Sequence, residues 1–469
     1  MSVALAAAAA VAAISLRSPA TARADAPTVA RPIDGPVADR ARLGGPATVS
    51  ADGPNAFSLP IPGLTREERR AFSVGNSFFR DNWVAAPASA EGRDGLGPLF
   101  AANSCSACHQ EDGRGRPPLV AGEVGLGWVV FASPRDADGE PHPVYGAQVQ
   151  DQAIAGVRPE ARVAVEPVET RGAFADGAGY ALLRLVPRLE EPAYGPLGEL
   201  RLSLRVGPQL IGGGLLEAVD DATILALADP DDRDGDGVSG RARLVPRDAR
   251  GGVAPAPRVG RFGWKAGQPT LDDQVMAALA GDMGLTNPAH RAESHTAAQA
   301  IDAPSGGDPE VDAHKVARLA HYCRTLAVPA QRGAGTPEVE RGRALFADAG
   351  CAKCHAPTLR TGDASPIALL RGVEFHPFTD LLLHDMGDGL ADDRREGDAT
   401  GREWRTPPLW GIGLIETVNG HTRLLHDGRA RSIEEAVLWH GGEAQRARDR
   451  FAAMTAADRA ALVAFLRSL

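Results

Sequence analysis

Two copies of one five-residue pattern constrain this chain more than any other feature: Cys105-Ser-Ala-Cys108-His109 and Cys351-Ala-Lys-Cys354-His355. Thiols three residues apart lie one helical turn from each other, so each can form a thioether with one vinyl group of the same porphyrin. The histidine that follows can then reach the iron. A zinc knuckle would need further Cys or His at finger-like spacing, and a redox dithiol or a disulfide needs no histidine. The expectation is two covalently bound c-type haems with His109 and His355 as proximal ligands. Each motif follows a Leu-Phe stub, Pro98-Leu99-Phe100 and Ala344-Leu345-Phe346, read as helical. The fifth cysteine, Cys323, lies in a segment of helical periodicity with Val316, Leu319, Tyr322 and Leu326, and reads as a buried thiol.

The chain closes on Thr455-Ala-Ala-Asp458 and an apolar-faced run with Leu462, Val463, Phe465, Leu466 and Leu469, a capped helix. Val316–Leu326 echoes it: Leu319, Tyr322, Arg324 and Leu326 match Leu462, Phe465, Arg467 and Leu469. In a haem module of this kind the helix before the cysteines packs on a C-terminal helix, so each half supplies both ends. The expected fold is mainly α: two cytochrome c-type domains in tandem, 61–328 and 338–469, joined by a linker at 329–337. The first half is much the longer between its histidine and its closing helix. That points to a β-containing, loop-rich insertion over about 125–250, with strand-like stretches at 180–186 and 199–206. The 54 Gly and 36 Pro fit many turns.

Residues 2–16 are apolar and lead to Ala22-Arg23-Ala24, which reads as a signal peptide over 1–24 cleaved near Ala24. An extended leader over 25–60 would follow, in a periplasmic or secreted protein. No other stretch suggests stable membrane insertion. A formal charge of −10 speaks against nucleic acid as a partner. Within the insertion, Asp232, Asp234 and Asp236 followed by Gly237 have the spacing of a calcium loop, but position 12 is Arg243. Calcium and a solvated polar turn both remain open.

The run from Trp404 (Trp-Arg-Thr-Pro-Pro-Leu-Trp-Gly), through Leu425-His426-Asp427-Gly428 and Ile433-Glu434 to His440, resembles the C-terminal haem domain of the bacterial di-haem cytochrome c peroxidase superfamily. Within that superfamily, Gly260-Arg-Phe-Gly-Trp-Lys-Ala-Gly-Gln268, Thr379-Asp-Leu-Leu-Leu-His-Asp-Met-Gly387 and His440-Gly-Gly-Glu443 resemble the di-haem oxidoreductase family, a group of peroxidase or thiol oxidoreductase type. The likeness runs from about residue 65 to the end. It implies a sixth ligand for the second iron at His440, with Met386 and His426 as rivals. It also implies an acid over the first iron at Asp272, or Asp273 if the register slips. A distal carboxylate suits peroxide cleavage, which needs a proton moved between the two oxygens. A helix-start acid at that position is the alternative reading. Trp264 reads as an electron stepping stone or a packing residue, His142 as a cap on the first iron or a bystander, and Lys265 and Arg261 as propionate partners or ordinary cations. The implied reaction is reduction of hydrogen peroxide, with electrons from a donor cytochrome or cupredoxin. A carrier without substrate chemistry, and an oxidase or oxygenase of an organic or protein substrate, are the competing readings.

Overall fold

The computed structural model describes residues 33, 35–90, 92–118, 125–247 and 255–469. The expected signal peptide and the start of the leader lie outside these residues. What the structure describes of the leader is folded in: Leu43, Ala56 and Phe57 are fully buried, and Thr48-Val49 pairs in parallel with Val328-Pro329.

Each cysteine motif is backed by a pair of crossed helices. In the first half, α1 (Arg66–Arg80) opens on a reciprocal cap between Thr65 and Glu68 and buries Ala71, Phe72, Gly75 and Phe79. Its partner is α3 (Ala313–Arg324), which buries Val316, Leu319, Ala320, Tyr322 and Cys323. Between them in the chain runs α2 (Leu271–Met283), which packs on α3. In the second half, α4 (Pro337–Ala349) crosses α7 (Ala456–Ser468) in the same way, after α5 (Ile433–Leu438) and α6 (Gln445–Ala453). Both crossings turn on a glycine. A Cβ on Gly75 would lie 2.2 Å from the carbonyl of Arg318, and one on Gly342 2.0 Å from that of Ala461. The two helix pairs are thus built on one plan.

The expectation of a mainly α chain is not met: helix accounts for 30% and strand for 18%, divided among many small sheets. The periodicity of α3 and α7 marks helices well, but most strands here are two-residue ladders between Gly- and Pro-rich turns, too short to leave a period in the sequence. Leu99-Phe100 is one of them. It pairs with Gln152-Ala153 and is not the helical stub expected, whereas Leu345-Phe346 is helical. The helix matching α4 in the first half is α1, well upstream of its cysteines.

The long strands are β1 (Trp128–Pro134), β2 (Arg162–Ala173), β3 (Gly179–Glu190) and β4 (Leu200–Val206). β2 and β3 form an antiparallel hairpin, with Arg162 opposite Glu190 and Ala173 opposite Gly179. Val163, Val165, Leu183 and Leu185 of its inner face cover Val130 and Leu204 of the β1/β4 pair. The hairpin also reaches the second half. Phe174 meets Phe451 edge-on, Arg459 lies over the Phe174 ring, and Glu435 accepts the Leu183 amide at 2.6 Å.

Candidate haem centres

At the first motif, Cys105–Cys108 forms one helical turn, and the His109 ring faces Phe79 of α1 at 6.3 Å between centroids. His109 Nδ1 donates to the Pro208 carbonyl at 2.7 Å, leaving Nε2 without that bond. The approach is close: a Cβ on Gly207 would sit 2.9 Å from His109 Cε1. The second motif repeats this. The His355 ring faces Phe346 of α4 at 6.4 Å, and its Nδ1 donates to the Phe378 carbonyl at 2.9 Å. Burial drives the His355 imidazole down to about 4 and lowers that of His109 too, so both are neutral donors. A histidine tied at one nitrogen to a backbone carbonyl presents the other as a ligand of set orientation.

His440 has the same form. Its Nδ1 donates to the Ala436 carbonyl at 2.7 Å and burial lowers its pKa. Its ring centroid lies 6.5 Å from that of His355. Two metal–imidazole bonds of about 2 Å, with about 1 Å from each nitrogen to its ring centre, place such a pair about 6 Å apart. A large void of about 1600 Å³, its open mouth included, lies at this pair, lined by Cys351, Cys354, His355 and His440. Burial pushes Cys108 and Cys351 up to about 12, unlike the low-pKa thiolate of an exchange-active dithiol. Arg114 and Arg405 also line the void. Both are buried and lowered to about 10 by it, and their hydrogen bonds go to carbonyls: Arg114 to those of Arg423 and Leu425, Arg405 to those of Gly263 and Thr406. Two buried cations whose side chains, among the described residues, bond carbonyls and no carboxylate fit the two propionates of a haem. Sequence reasoning missed both, because nothing local distinguishes them from surface arginines.

The cations it did single out are engaged elsewhere. Arg261 is fully buried and bonds Asp221 and the carbonyls of Glu217 and Val219. Lys265 reaches the Thr400 carbonyl at 2.6 Å and Asp392 at 3.3 Å, over the Trp404 ring. Trp264 lines the void, stands under the Arg114 guanidinium, and donates Nε1–H to the Val206 carbonyl at 2.8 Å. Of the rival ligands, Met386 also lines the void, and His426 stacks on Trp404 at 3.6 Å. His142 folds back on its own turn, its Nδ1 accepting the amides of Val144 and Tyr145.

Asp272, in the first turn of α2, is ion-paired with Arg324, which also binds Glu217. Thr270 caps the helix, its hydroxyl accepting the Asp273 amide at 3.1 Å and donating to the Asp273 carboxylate at 2.5 Å, and both Asp272 and Asp273 lie in the first turn. The carboxylates of Asp232, Asp234 and Asp236 gather within 4.8 Å of one another. Asp236 meets Lys353 of the second motif at 2.6 Å, while Arg243 turns away to Glu396 and the Lys265 carbonyl. Among the described residues no helix is long and apolar enough to cross a membrane.

Residues 38–131 and 197–469 match the family described as "Di-haem oxidoreductase, putative peroxidase". The chain belongs to the di-haem oxidoreductase family. Haem is therefore the cofactor that the two motifs, the histidine pair and the two buried arginines accommodate. The span between the matched segments of this di-haem oxidoreductase holds the whole β2–β3 hairpin. No curated protein matches the chain. Among solved structures, Kuenenia stuttgartiensis hydrazine synthase pressurised with 20 bar xenon is similar at 13% identity over 90% of this chain and 97% of that one. The TM-score of 0.31 is too low to bear on fold or chemistry.

Proposed function

We propose that this di-haem oxidoreductase reduces hydrogen peroxide to water at the haem held by His109, with electrons relayed through the haem held by His355 and His440. The observation that carries the division of labour is an asymmetry. His355 is faced by a second imidazole at 6.5 Å, and among the described residues His109 has no such histidine partner. An iron closed on both faces suits electron transfer; an iron with a free face suits substrate. Bound haem supplies the two-electron redox chemistry, and the overall reaction takes one peroxide, two electrons and two protons to two waters.

The chain's own residues do the rest. Cys105 and Cys108, and Cys351 and Cys354, form the thioether links of c-type attachment. Arg114 and Arg405 neutralise propionates at the second haem. Asp272 accepts the peroxide proton and returns it to the departing oxygen, with Arg324 holding its carboxylate in place. Trp264 joins the two centres: its indole N–H bonds the carbonyl of Val206, two residues before the Pro208 carbonyl that holds His109. The apolar run before Ala24 sends the chain to the periplasm or beyond, where a small cytochrome or cupredoxin can supply electrons.

The test is anaerobic optical spectroscopy of the holoprotein with stoichiometric hydrogen peroxide and a reduced cytochrome donor. Donor oxidation at two electrons per peroxide, lowered about 10²-fold or more in Asp272→Asn, is expected for a lost proton carrier. Two low-spin haems that ignore peroxide would make the protein an electron carrier instead.

A further inference from the structure

Glu443 lies three residues beyond His440 and is the hub of a buried network outside the roles assigned above. Its Oε2 accepts from His384 Nδ1 at 2.7 Å and from the Ser239 amide at 2.9 Å. Its Oε1 accepts from the Asp385 amide at 3.0 Å and the Ser239 hydroxyl at 3.1 Å. His384 is itself bound on both sides, its Nε2 donating to Asp380 at 2.8 Å. With both ring nitrogens donating to carboxylates it is an imidazolium. Burial is the largest single influence and opposes that charge; the Asp380 and Cys354 contacts together overcome it. A Cβ on Gly240 would lie 2.4 Å from His384 Cε1, so the ring is wedged in place.

One short segment, 378–385, carries the supports of both axial histidines. Phe378 offers its carbonyl to His355, and the Asp380 amide bonds the Cys354 carbonyl at 3.0 Å. Four and five residues beyond Asp380, His384 and Asp385 grip Glu443. Phe378 and Leu381 sit at φ of 56° and 64°, conformations that bulky residues adopt only where the surroundings impose them. Opposite, Gly441 and Gly442 let the His440 loop lie on this segment backbone to backbone. A Cβ on Gly442 would meet the Asp385 carbonyl at 2.1 Å. The loop has no side chain bulk to hold it there; Glu443 supplies the anchor.

We propose that Asp380, His384 and Glu443 form a positioning relay that locks the His440 loop to the segment carrying the proximal histidine, and so sets the strength of the sixth bond at the second haem. The relay rests on the reading of His440 as that sixth ligand. It acts through the loop; His384 also stands against the second motif, its Nδ1 3.6 Å from Cys354 Sγ, and both His384 and Glu443 line the void. A buried charged network costs desolvation and is an inefficient way merely to stabilise a fold. Its directional bonds do fix a distance, here the 6.5 Å between the His355 and His440 rings.

The experiment uses the full-length holoprotein and four variants: His440→Gly, His384→Phe, Glu443→Gln and Glu443→Asp. Each is read by electron paramagnetic resonance of the ferric form and by carbon monoxide binding to the ferrous form. His440→Gly should convert the second haem to a high-spin, carbon monoxide-binding site. If it leaves the low-spin signal intact, the ligand reading itself fails. Given that conversion, His384→Phe and Glu443→Gln should each turn a measurable fraction of the second haem high-spin and open it to carbon monoxide, leaving the first haem's signal unchanged. Glu443→Asp should restore part of the low-spin signal. Low-spin spectra and carbon monoxide exclusion identical to the parent protein in both His384→Phe and Glu443→Gln, while His440→Gly responds, would overturn the relay. Glu443→Gln is isosteric and keeps the fold if His384→Phe does not.

Discussion

Three histidines in this chain are made alike by a backbone carbonyl, from Pro208, Phe378 or Ala436, that takes the Nδ1 proton. His109 and His355 were legible from their motifs, because the cysteine spacing names them. His440 was legible only by its place relative to His426 in a resembling pattern. The carbonyls of Pro208 and Phe378 were not legible, since they come from 99 and 23 residues away, whereas that of Ala436 lies one helical turn before its histidine. Burial that keeps these rings neutral acts with opposite sign on acids. Glu160 is buried, accepts the Gln150 amide and the Gln299 side chain, and is pushed up to about 7 from 4.5. The folded chain therefore holds a proton that the unfolded chain releases near pH 4.5. Stability is greatest below that pH and is lost as pH rises towards about 7, by on the order of 3 kcal/mol in all. Glu160→Gln keeps a carbonyl for the Gln150 amide and gives up the bond from Gln299, whose oxygen stays with the Thr296 amide. Melting temperature measured from pH 4 to pH 8 should fall by a few degrees more in the parent than in the variant. Parallel curves would show that Glu160 titrates normally.

At the scale of elements, the two helix pairs are the clearest record of the repeat. α3 and α7 were read from their apolar spacing. α1 is masked in the sequence by the charged run Arg66-Glu-Glu-Arg-Arg, although the Thr65/Glu68 cap and the spacing of Phe72, Gly75 and Phe79 mark it. The strands of the hairpin were visible as alternation; the two-residue ladders were not, since pairing so short is decided by the tertiary fold. A crossing that depends on a missing Cβ makes a sharp prediction. Gly342→Val drives a side chain into the Ala461 carbonyl and should destabilise the chain by about 2 kcal/mol or more. Because Phe346 on the same helix faces His355, the second haem's optical spectrum should broaden while the first is unchanged. Gly75→Val should do the converse through Phe79 and His109. Spectra that change together, or not at all, would break the link between each crossing and its own haem.

Across the whole molecule the two halves are stitched together around Trp264, where the proposed electron path runs. Asn419 of the second half accepts the Arg114 amide at 2.9 Å, Arg114 bonds the carbonyls of Arg423 and Leu425, and the Val206 amide donates to the His426 carbonyl at 2.9 Å. None of these contacts was readable from sequence, because each joins segments roughly two to three hundred residues apart through backbone atoms that carry no residue identity. Trp264 stands at this seam. It lines the void at His355 and His440, and its indole N–H meets the chain that leads through Gly207 to the carbonyl holding His109. A mere packing role asks only for an aromatic ring, whereas a conducting role also needs the N–H bond to Val206. Trp264→Phe separates the two. It keeps most of the buried ring area, so both haems should load and each should keep its resting spectrum. Electron equilibration between them, followed after flash reduction of the second haem, should slow by about tenfold or more, equivalent to about 1.4 kcal/mol of barrier. An unchanged rate with unchanged spectra would make Trp264 a packing residue and move the path elsewhere along the seam.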